Sequence, residues 1–280
     1  MKKPMITSLS LGTVHLAAAD LEALVHFYTN IVGMDILTRT ADIVSLGFGT
    51  DTLLTLHDKK HLPPSLLHHA GLYHFAIVFK SRNDLSKIIH NILSSTPEIF
   101  AGSADHLVSE AFYFTDPEGN GIELYFDRDR TEWQWENGEV KMASLYIDPI
   151  EYLKTHLKNE VENPDARMGH IHLKVADIDK AHHFYVTILG FDVTAKLPGA
   201  LFISIEGYHH HIGLNTWNSS GASPREESLG LKKVELIFAR KEEVEQLKER
   251  LSQEGVSYTE KNSILTFSDP WNNEFEVTAL

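Results

Sequence analysis

The sequence predicts an α+β fold built from four copies of a βαβββ module, arranged as two homologous halves. The main observation is an internal repeat between Gly12–Ile36 and Gly169–Val193. Each copy shows a short strand, an Asp that can cap a helix, an amphipathic helix that ends in Gly, and a second strand. All matched segments keep a similar offset of 157, 159 or 153 residues, as expected of a duplicated chain. The two later matches pair Gly71–Phe79 with Gly230–Phe238, and Phe114–Phe126 with Phe267–Ala279.

Within each half, the strand–helix–strands pattern occurs twice, which gives the four modules. Their approximate ranges are 12–57, 71–127, 168–217 and 230–280. Apolar residues recur at helical spacing after the first strand of each module. The predicted helices are Asp20–Ile31, Asn83–Leu93, Asp177–Leu189 and Lys241–Glu254.

The length of 280 residues is sufficient for two domains of about 100–150 residues each. We expect a first domain at 1–127, a linker at 128–167 and a second domain at 168–280. The linker holds Trp133 and Trp135, followed by a short amphipathic helix after Asp148.

Composition narrows the class of protein. The net charge of -14 argues against nucleic acid and anionic membranes as partners, and no segment approaches the roughly 18 apolar residues of a membrane span. The N-terminal apolar stretch is broken by His15 and Asp20, so it reads as a strand and helix rather than a signal peptide, and we expect a cytoplasmic protein. With 0 cysteines, thiolate ligands and Cys nucleophiles are excluded. The 17 histidines favour a metal site or acid–base chemistry.

The segment from His106 to Glu123 is the richest in chemical groups. It contains His106, Tyr113, an Asp116-Pro117 turn, and then the alternating strand GIELYF, which carries Glu123. A carboxylate within an apolar strand is costly to bury unless it is paired or bound to a metal.

This motif resembles the signature of extradiol ring-cleaving dioxygenases, which are members of the vicinal oxygen chelate superfamily together with glyoxalases and fosfomycin- and bleomycin-resistance proteins. Only Ala104 departs from the family pattern. The fourfold βαβββ organisation is similar to the vicinal oxygen chelate fold over nearly the whole chain, apart from the linker. The resemblance implies two paired vicinal oxygen chelate domains.

The resemblance also implies metal ligands on the first and last strands of the modules. Matched position by position, the first half offers Thr13, His74 and Glu123, and the second half His170, Lys233 and Glu276. Each half therefore lacks one ligand. The two middle modules together supply His74, Glu123 and His170, the facial triad of non-haem Fe(II) oxygenases. We expect one metal there, Fe(II) with Mn(II) as a substitute. The set Thr13, Lys233 and Glu276 would be vestigial, because an ammonium cannot ligate.

A rival arrangement uses His15, which lies two residues past Thr13 on the same strand face. It would complete a site with His74 and Glu123 inside the first half. The matching His172 accompanies His170 in the second half, and we favour His170 as the ligand. His15, His57 and His172 are then interpreted as core residues.

The resemblance assigns Tyr113 to a hydrogen bond with the substrate hydroxyl, and His106 to the substrate or a neighbouring group. The run Tyr208–Trp217 is predicted to be the last strand of the third module. Alternation would place His209 and His211 on the cup face, so that one of them is the acid–base residue, and the sequence leaves that choice open. Asn215 and Trp217 are predicted to shape the rim of the substrate pocket.

The predicted function is an Fe(II)-dependent extradiol dioxygenase acting on a catechol-type ring with O2. A small aromatic substrate and O2 are the expected partners, and a homo-oligomer stays open. One alternative is a glyoxalase-like isomerase or lyase, which needs a fourth ligand where the chain has Gly213. The other is a metal-free module that binds a drug or another small molecule.

Overall fold

The structure is a computed structural model that describes residues 6–158 and 164–280. The part of the linker at 159–163, where the predicted linker helix was expected to continue, lies outside these described residues. The α-helices are α1 Leu21–His26, α2 Arg82–Ser95, α3 Pro149–His156, α4 Ile178–His182 and α5 Lys241–Gln253.

The described residues also form eighteen strands. In the first half they are β1 Leu9–Ala18, β2 Asp35–Arg39, β3 Ile43–Phe48, β4 Asp51–Asp58, β5 Gly71–Phe79, β6 Phe100–Asp105, β7 Ser109–Thr115 and β8 Gly121–Asp127. The linker adds β9 Trp135–Glu136 and β10 Glu139–Val140. In the second half they are β11 Ala166–Lys174, β12 Asp192–Leu197, β13 Ala200–Ser204, β14 Ile212–Asn215, β15 Gly230–Phe238, β16 Tyr258–Lys261, β17 Ile264–Ser268 and β18 Glu274–Ala279.

The predicted fold class is confirmed, because each module has one strand, one helical segment and three further strands. The strands form two eight-stranded sheets, with the orders β16-β17-β18-β15-β1-β4-β3-β2 and β12-β13-β14-β11-β5-β8-β7-β6. The second sheet therefore contains the strands of the two middle modules, and the first contains those of the outer two. The predicted domain boundaries stay a prediction.

By compactness, the chain divides into one unit of residues 1–15, 62–73 and 170–280 and another of 16–61 and 74–169. The first unit buries large rings that include Tyr185, Phe191, Phe238 and Phe275. The second unit has its own core of fully buried rings, namely Tyr28, Tyr125, Phe75, Phe79, Phe112 and Phe114. No helix among the described residues is long and apolar enough to cross a membrane.

The first helix of each half departs from its prediction in the same way. After α1, the residues Phe27–Val32 form a π-helical turn, and His183–Ile188 do the same after α4. The predicted caps are confirmed, since the side chains of Asp20 and Asp177 accept hydrogen bonds from the backbone N–H groups three residues later.

Each π-helical turn contains a buried tyrosine whose hydroxyl contacts one of the two Asp-Pro turns. Tyr28 donates its hydroxyl to Asp116 at 2.8 Å, and Tyr185 donates to Asp269 at 2.8 Å. Burial raises the pKa of both aspartates, although the hydrogen bonds that they accept act in the opposite direction. We call each of these contacts a Tyr–Asp lock. In the first half, the lock fixes the turn from which the strand of Glu123 begins.

Candidate metal centre

Strands β5 and β8 place His74 and Glu123 side by side. The strands are parallel, with His74 opposite Gly121 and Ala76 opposite Glu123, so both side chains point to the same face. His74 Nε2 lies 3.0 Å from Glu123 Oε2, and the side chains are 7% and 3% exposed. This pair supplies two metal-ligating groups in a buried position.

Tyr113 faces the same pair from strand β7. It lies directly opposite Glu123 in the antiparallel register, so the two side chains share a face. The rings of His74 and Tyr113 are 5.7 Å apart. Ala76 and Tyr125 pack beneath Tyr113 in an apolar cluster. The structure therefore brings three of the predicted site residues together.

His106 connects Tyr113 to the linker. Its Nδ1 lies 2.6 Å from the carbonyl oxygen of Ala143, and its Nε2 lies 2.6 Å from the hydroxyl of Tyr113. Since a carbonyl oxygen only accepts, Nδ1 carries a proton and donates. In the neutral tautomer, Nε2 then accepts from the Tyr113 hydroxyl. The signature His thus orients the tyrosine.

A third ligand candidate, His170, lies on strand β11 and is 1% exposed. The ligand atoms of His74, Glu123 and His170 all lie within 4.8 Å of one another, and all three residues are buried. Two imidazoles and one carboxylate suit divalent iron, manganese and zinc, so the donor set fits a metal. Among the described residues this is the one such group.

The three-histidine run is not a strand, and this part of the prediction was wrong. Strand β14 begins only at Ile212, because Glu206 and Gly207 adopt left-handed φ values of 58° and 64° that turn the chain. The turn is held by Thr194, whose hydroxyl donates to the carbonyl of His209 at 2.6 Å. Strict alternation therefore does not apply to these histidines.

The side chains of His209, His210 and His211 have different partners. The ring of His170 lies 4.1 Å from that of His210 and 6.0 Å from that of His209. The Nδ1 atoms of His209 and His210 are 2.7 Å apart, so one of these atoms donates a hydrogen bond to the other. In His211, Nδ1 accepts from the backbone N–H of Ile205 at 3.2 Å, which leaves its proton on Nε2.

Asn215 and Trp217 lie beside His172, which we interpreted as a core residue. His172 is opposite Gly213 in the register, and Asn215 lies two residues farther along that strand face. The Asn215 amide nitrogen donates to His172 Nε2 at 3.0 Å, because its oxygen accepts from the Trp217 N–H. The ring of Trp217 lies 5.6 Å from that of His172.

The rival ligand His15 has a different partner. Its Nε2 lies 2.8 Å from Glu235, which also accepts from the Thr13 N–H at 3.2 Å. Burial raises the pKa of Glu235, but the hydrogen bond and charge of His15 outweigh it and hold that pKa below 4.5. Glu235 was missed from the sequence, although it follows Lys233 by two residues on one face of its strand.

The remaining predicted residues lie on the outer-module sheet. Lys233 donates to Glu276 at 2.6 Å, so an ammonium occupies the place beside the carboxylate where the other set has His74. His57 lies on β4 opposite Ile43.

Tyr73, on the strand of His74, was also missed, because a single Tyr at a strand start carries no distinct sequence signal.

Comparison with known proteins identifies the family. The profile of the Glyoxalase/Bleomycin resistance protein/Dioxygenase superfamily matches residues 10–124 and 167–277. The chain belongs to this superfamily. It is also 35% identical over 271 residues to a catechol-2,3-dioxygenase of Bacillus subtilis (strain 168), with 93% of each chain covered.

Solved structures of the superfamily share the fold at lower identity. A putative dioxygenase from Bacillus subtilis subsp. subtilis str. 168 matches with a TM-score of 0.64 at 14% identity, covering 98% of this chain and 86% of that one. Glyoxalase I from Zea mays matches with a TM-score of 0.59 at 16% identity, covering 97% and 92%. At these identities, the likeness shows the vicinal oxygen chelate fold alone.

Proposed function

We propose that this protein is a non-haem Fe(II)-dependent extradiol dioxygenase that cleaves a catechol-type aromatic ring with O2. The observation that carries the proposal is the buried set of two histidines and one glutamate. The 35% identity to a protein named catechol-2,3-dioxygenase supports the same reaction class, an oxidoreductase. Mn(II) is the alternative metal.

His74, Glu123 and His170 are the proposed ligands. Three protein ligands leave coordination positions open for substrate and O2, as in other two-His-one-carboxylate sites. When bound, the ion would supply the redox chemistry that couples the catechol to dioxygen. Burial of the three side chains removes competing water from the ligand set.

Tyr113 and His106 would control the proton of a substrate hydroxyl. Because the Tyr113 proton points to His106 Nε2 in the neutral tautomer, the lone pairs of its oxygen take the role of acceptor toward a substrate hydroxyl. The Ala143 carbonyl holds the imidazole so that this direction is maintained. Tyr113 would thus bind the hydroxyl that loses its proton to form the chelate.

For the acid–base residue we favour His209. Its ring lies 6.0 Å from that of His170 in an edge-to-face arrangement, and its Nδ1 lies 2.7 Å from that of His210. A group that gives or takes a proton near the ring must lie within hydrogen-bond reach of the substrate. His211, whose proton lies on Nε2, stays the alternative. Asn215 and Trp217 are proposed to line the substrate pocket.

The glyoxalase-like alternative meets a steric obstacle at Gly213. A Cβ atom at this position would lie 2.9 Å from the ring of His172. The fourth ligand that glyoxalases place there therefore has no room. This geometry favours the dioxygenase over the isomerase or lyase.

The test is anaerobic loading with Fe(II), followed by addition of catechol and oxygen and measurement of the yellow ring-fission product. We expect His74→Ala, Glu123→Ala and His170→Ala to lower both bound iron and product formation, the latter by at least about 100-fold. His57→Ala serves as the matched control. Loss of iron in His15→Ala with retention in His170→Ala would replace our third ligand. Full iron loading without colour would contradict the reaction class.

A further inference from the structure

A buried lysine, Lys174, ends the strand that carries the proposed ligand His170. It is the last residue of β11 and is 7% exposed. Its ammonium donates to the backbone carbonyl of Leu67 at 3.1 Å, and among the described residues no carboxylate forms an ion pair with it. A buried ammonium is costly unless an anion compensates its charge, and a neutral carbonyl supplies no charge. Within the part of the chain that the structure describes, Lys174 is therefore a buried cation without a counter-ion.

A second cation, Arg225, lies close enough to act on Lys174. Burial lowers the pKa of the Lys174 ammonium, and the positive charge of Arg225 lowers it further. The charge of Arg225 is compensated in part by the carboxylates of Asp269, Glu274 and Glu227. None of these three carboxylates contributes to the pKa shift of Lys174. A bound anion would therefore complete the charge balance at Lys174.

Lys174 lies on the same face of its sheet as His170. Side chains alternate along a strand, so positions 170, 172 and 174 share a face. The register partner of Lys174 on the parallel strand β14 is Asn215, whose amide nitrogen donates to His172 at 3.0 Å. The alternation is thus kept to the end of β11. His170 and Lys174 are separated by four residues of rise, roughly 13 Å, so a ring held at His170 can extend a substituent toward Lys174.

We propose that Lys174 binds a negatively charged substituent of the substrate, such as a carboxylate on the side chain of a catechol, and so determines specificity. The inference rests on the proposed function and deepens it, because it names the substrate class as catechols with an acidic side chain. A carboxylate would give the ammonium a charge-assisted hydrogen bond, which is stronger than its present bond to the carbonyl of Leu67. Arg225 would add attraction for the anion at longer range.

The test compares acidic catechols with their own methyl esters on the Fe(II)-loaded enzyme, with catechol as the reference. The two acids are 3,4-dihydroxyphenylacetate and 3-(2,3-dihydroxyphenyl)propionate, whose side chains leave the ring at different positions. Esterification removes the charge and keeps the ring. We expect kcat/KM to favour the better acid over its ester by about 10-fold.

Substitution of Lys174 should act on this preference. In Lys174→Met the acid-to-ester ratio should fall to about one, with the change mainly in KM for the acid. Lys174→Arg should retain most of the preference, because it keeps the positive charge. Lys248→Met is the matched control, since the side chain of Lys248 is 16% exposed and is already paired with Glu245 and Glu260. It should leave the ratio unchanged.

The outcomes separate the subsite from a purely structural lysine and from the proposed function. If Lys174 only anchors Leu67, Lys174→Met will change kcat/KM for acids and esters by the same factor. That result, or a wild-type ratio of about one with catechol still cleaved, would overturn the subsite and leave the dioxygenase standing. The wild-type ratio also tests the proposal if Lys174→Met does not fold. A loaded enzyme that cleaves neither catechol nor any of the acids and esters would instead overturn the proposed function.

Discussion

At the scale of single residues, the hydroxyl of Tyr113 is held in a defined orientation by its hydrogen-bond partner. It shares a face with Glu123 and is hydrogen-bonded to His106, whose other nitrogen is held by a backbone carbonyl. These hydrogen bonds orient Tyr113, which is not one of the proposed metal ligands. Its removal should therefore affect chemistry more than metal binding.

We predict that Tyr113→Phe keeps bound iron and lowers kcat for catechol by about 10–100-fold, the usual range for groups that support a metal site. Iron content and steady-state kinetics on the same preparation would measure both effects. Tyr146→Phe is the control, because Tyr146 is 74% exposed. Loss of iron in Tyr113→Phe would mean that the tyrosine orients a ligand instead.

The sequence predicted residues that belong to a dense motif and missed those that depend on tertiary contacts. His106, Tyr113 and Glu123 stand within one short segment, so their association was readable from the chain. Tyr73 and Glu235 gain their partners from distant strands, and local patterns carry no information on such contacts.

At the scale of secondary-structure elements, the helical prediction was confirmed in position and incomplete in type. The π-helical turns keep ordinary helical dihedrals at their starts, for example φ -57° and ψ -45° at His26. Apolar periodicity therefore could not reveal them. The strand predicted from Tyr208 begins only at Ile212. Two left-handed residues, Glu206 and Gly207, turn the chain just before Tyr208, and only Gly207 gave a local sign of that.

An ion network connects helix α2, the β7–β8 hairpin and the linker helix α3. Glu110 accepts two hydrogen bonds from Arg82, at 2.8 and 2.9 Å, and further ones from Arg128 and the Tyr152 hydroxyl at 3.2 Å. Burial raises the pKa of Glu110, but Arg82 and Arg128 outweigh it and lower that pKa below 4.5. The ionised form is therefore favoured by folding.

We predict that Glu110→Gln lowers the free energy of unfolding near neutral pH by about 1.5–3 kcal/mol, the range for hydrogen bonds to charged groups. Because the folded pKa is depressed, the contribution of Glu110 is present above 4.5 and is lost as pH falls through the folded value. The gap between wild type and variant should shrink on acidification. Denaturant titrations at neutral and at acidic pH would measure this difference in the free energy of unfolding, with exposed Glu98→Gln as the control. A difference that stays constant with pH would contradict the assignment.

At the scale of the whole molecule, the two sheets have different side chains at related positions. In the middle-module sheet, His74 lies beside Glu123. In the outer-module sheet, Lys233 forms an ion pair with Glu276, with side chains 17% and 19% exposed. A lysine ammonium neutralises the carboxylate and cannot ligate a metal.

We predict one iron per chain after reconstitution. His74→Ala should reduce the content to near zero, and Glu276→Ala should leave it at one, because Glu276 already has an intramolecular cation. Elemental analysis of the purified protein with protein quantification would measure the ratio. Two ions per chain would mean that the outer-module sheet also binds metal.

The Tyr–Asp locks carry a consequence for how such a chain can evolve. Both halves keep the same lock at 2.8 Å, although Glu123 lies beside His74 whereas its counterpart Glu276 lies beside Lys233. Since the lock and the functional side chains are different residues, a duplicated module can lose its chemistry and still fold. Selection on architecture and selection on catalysis then act on separate positions, so the outer modules remain available for a new activity.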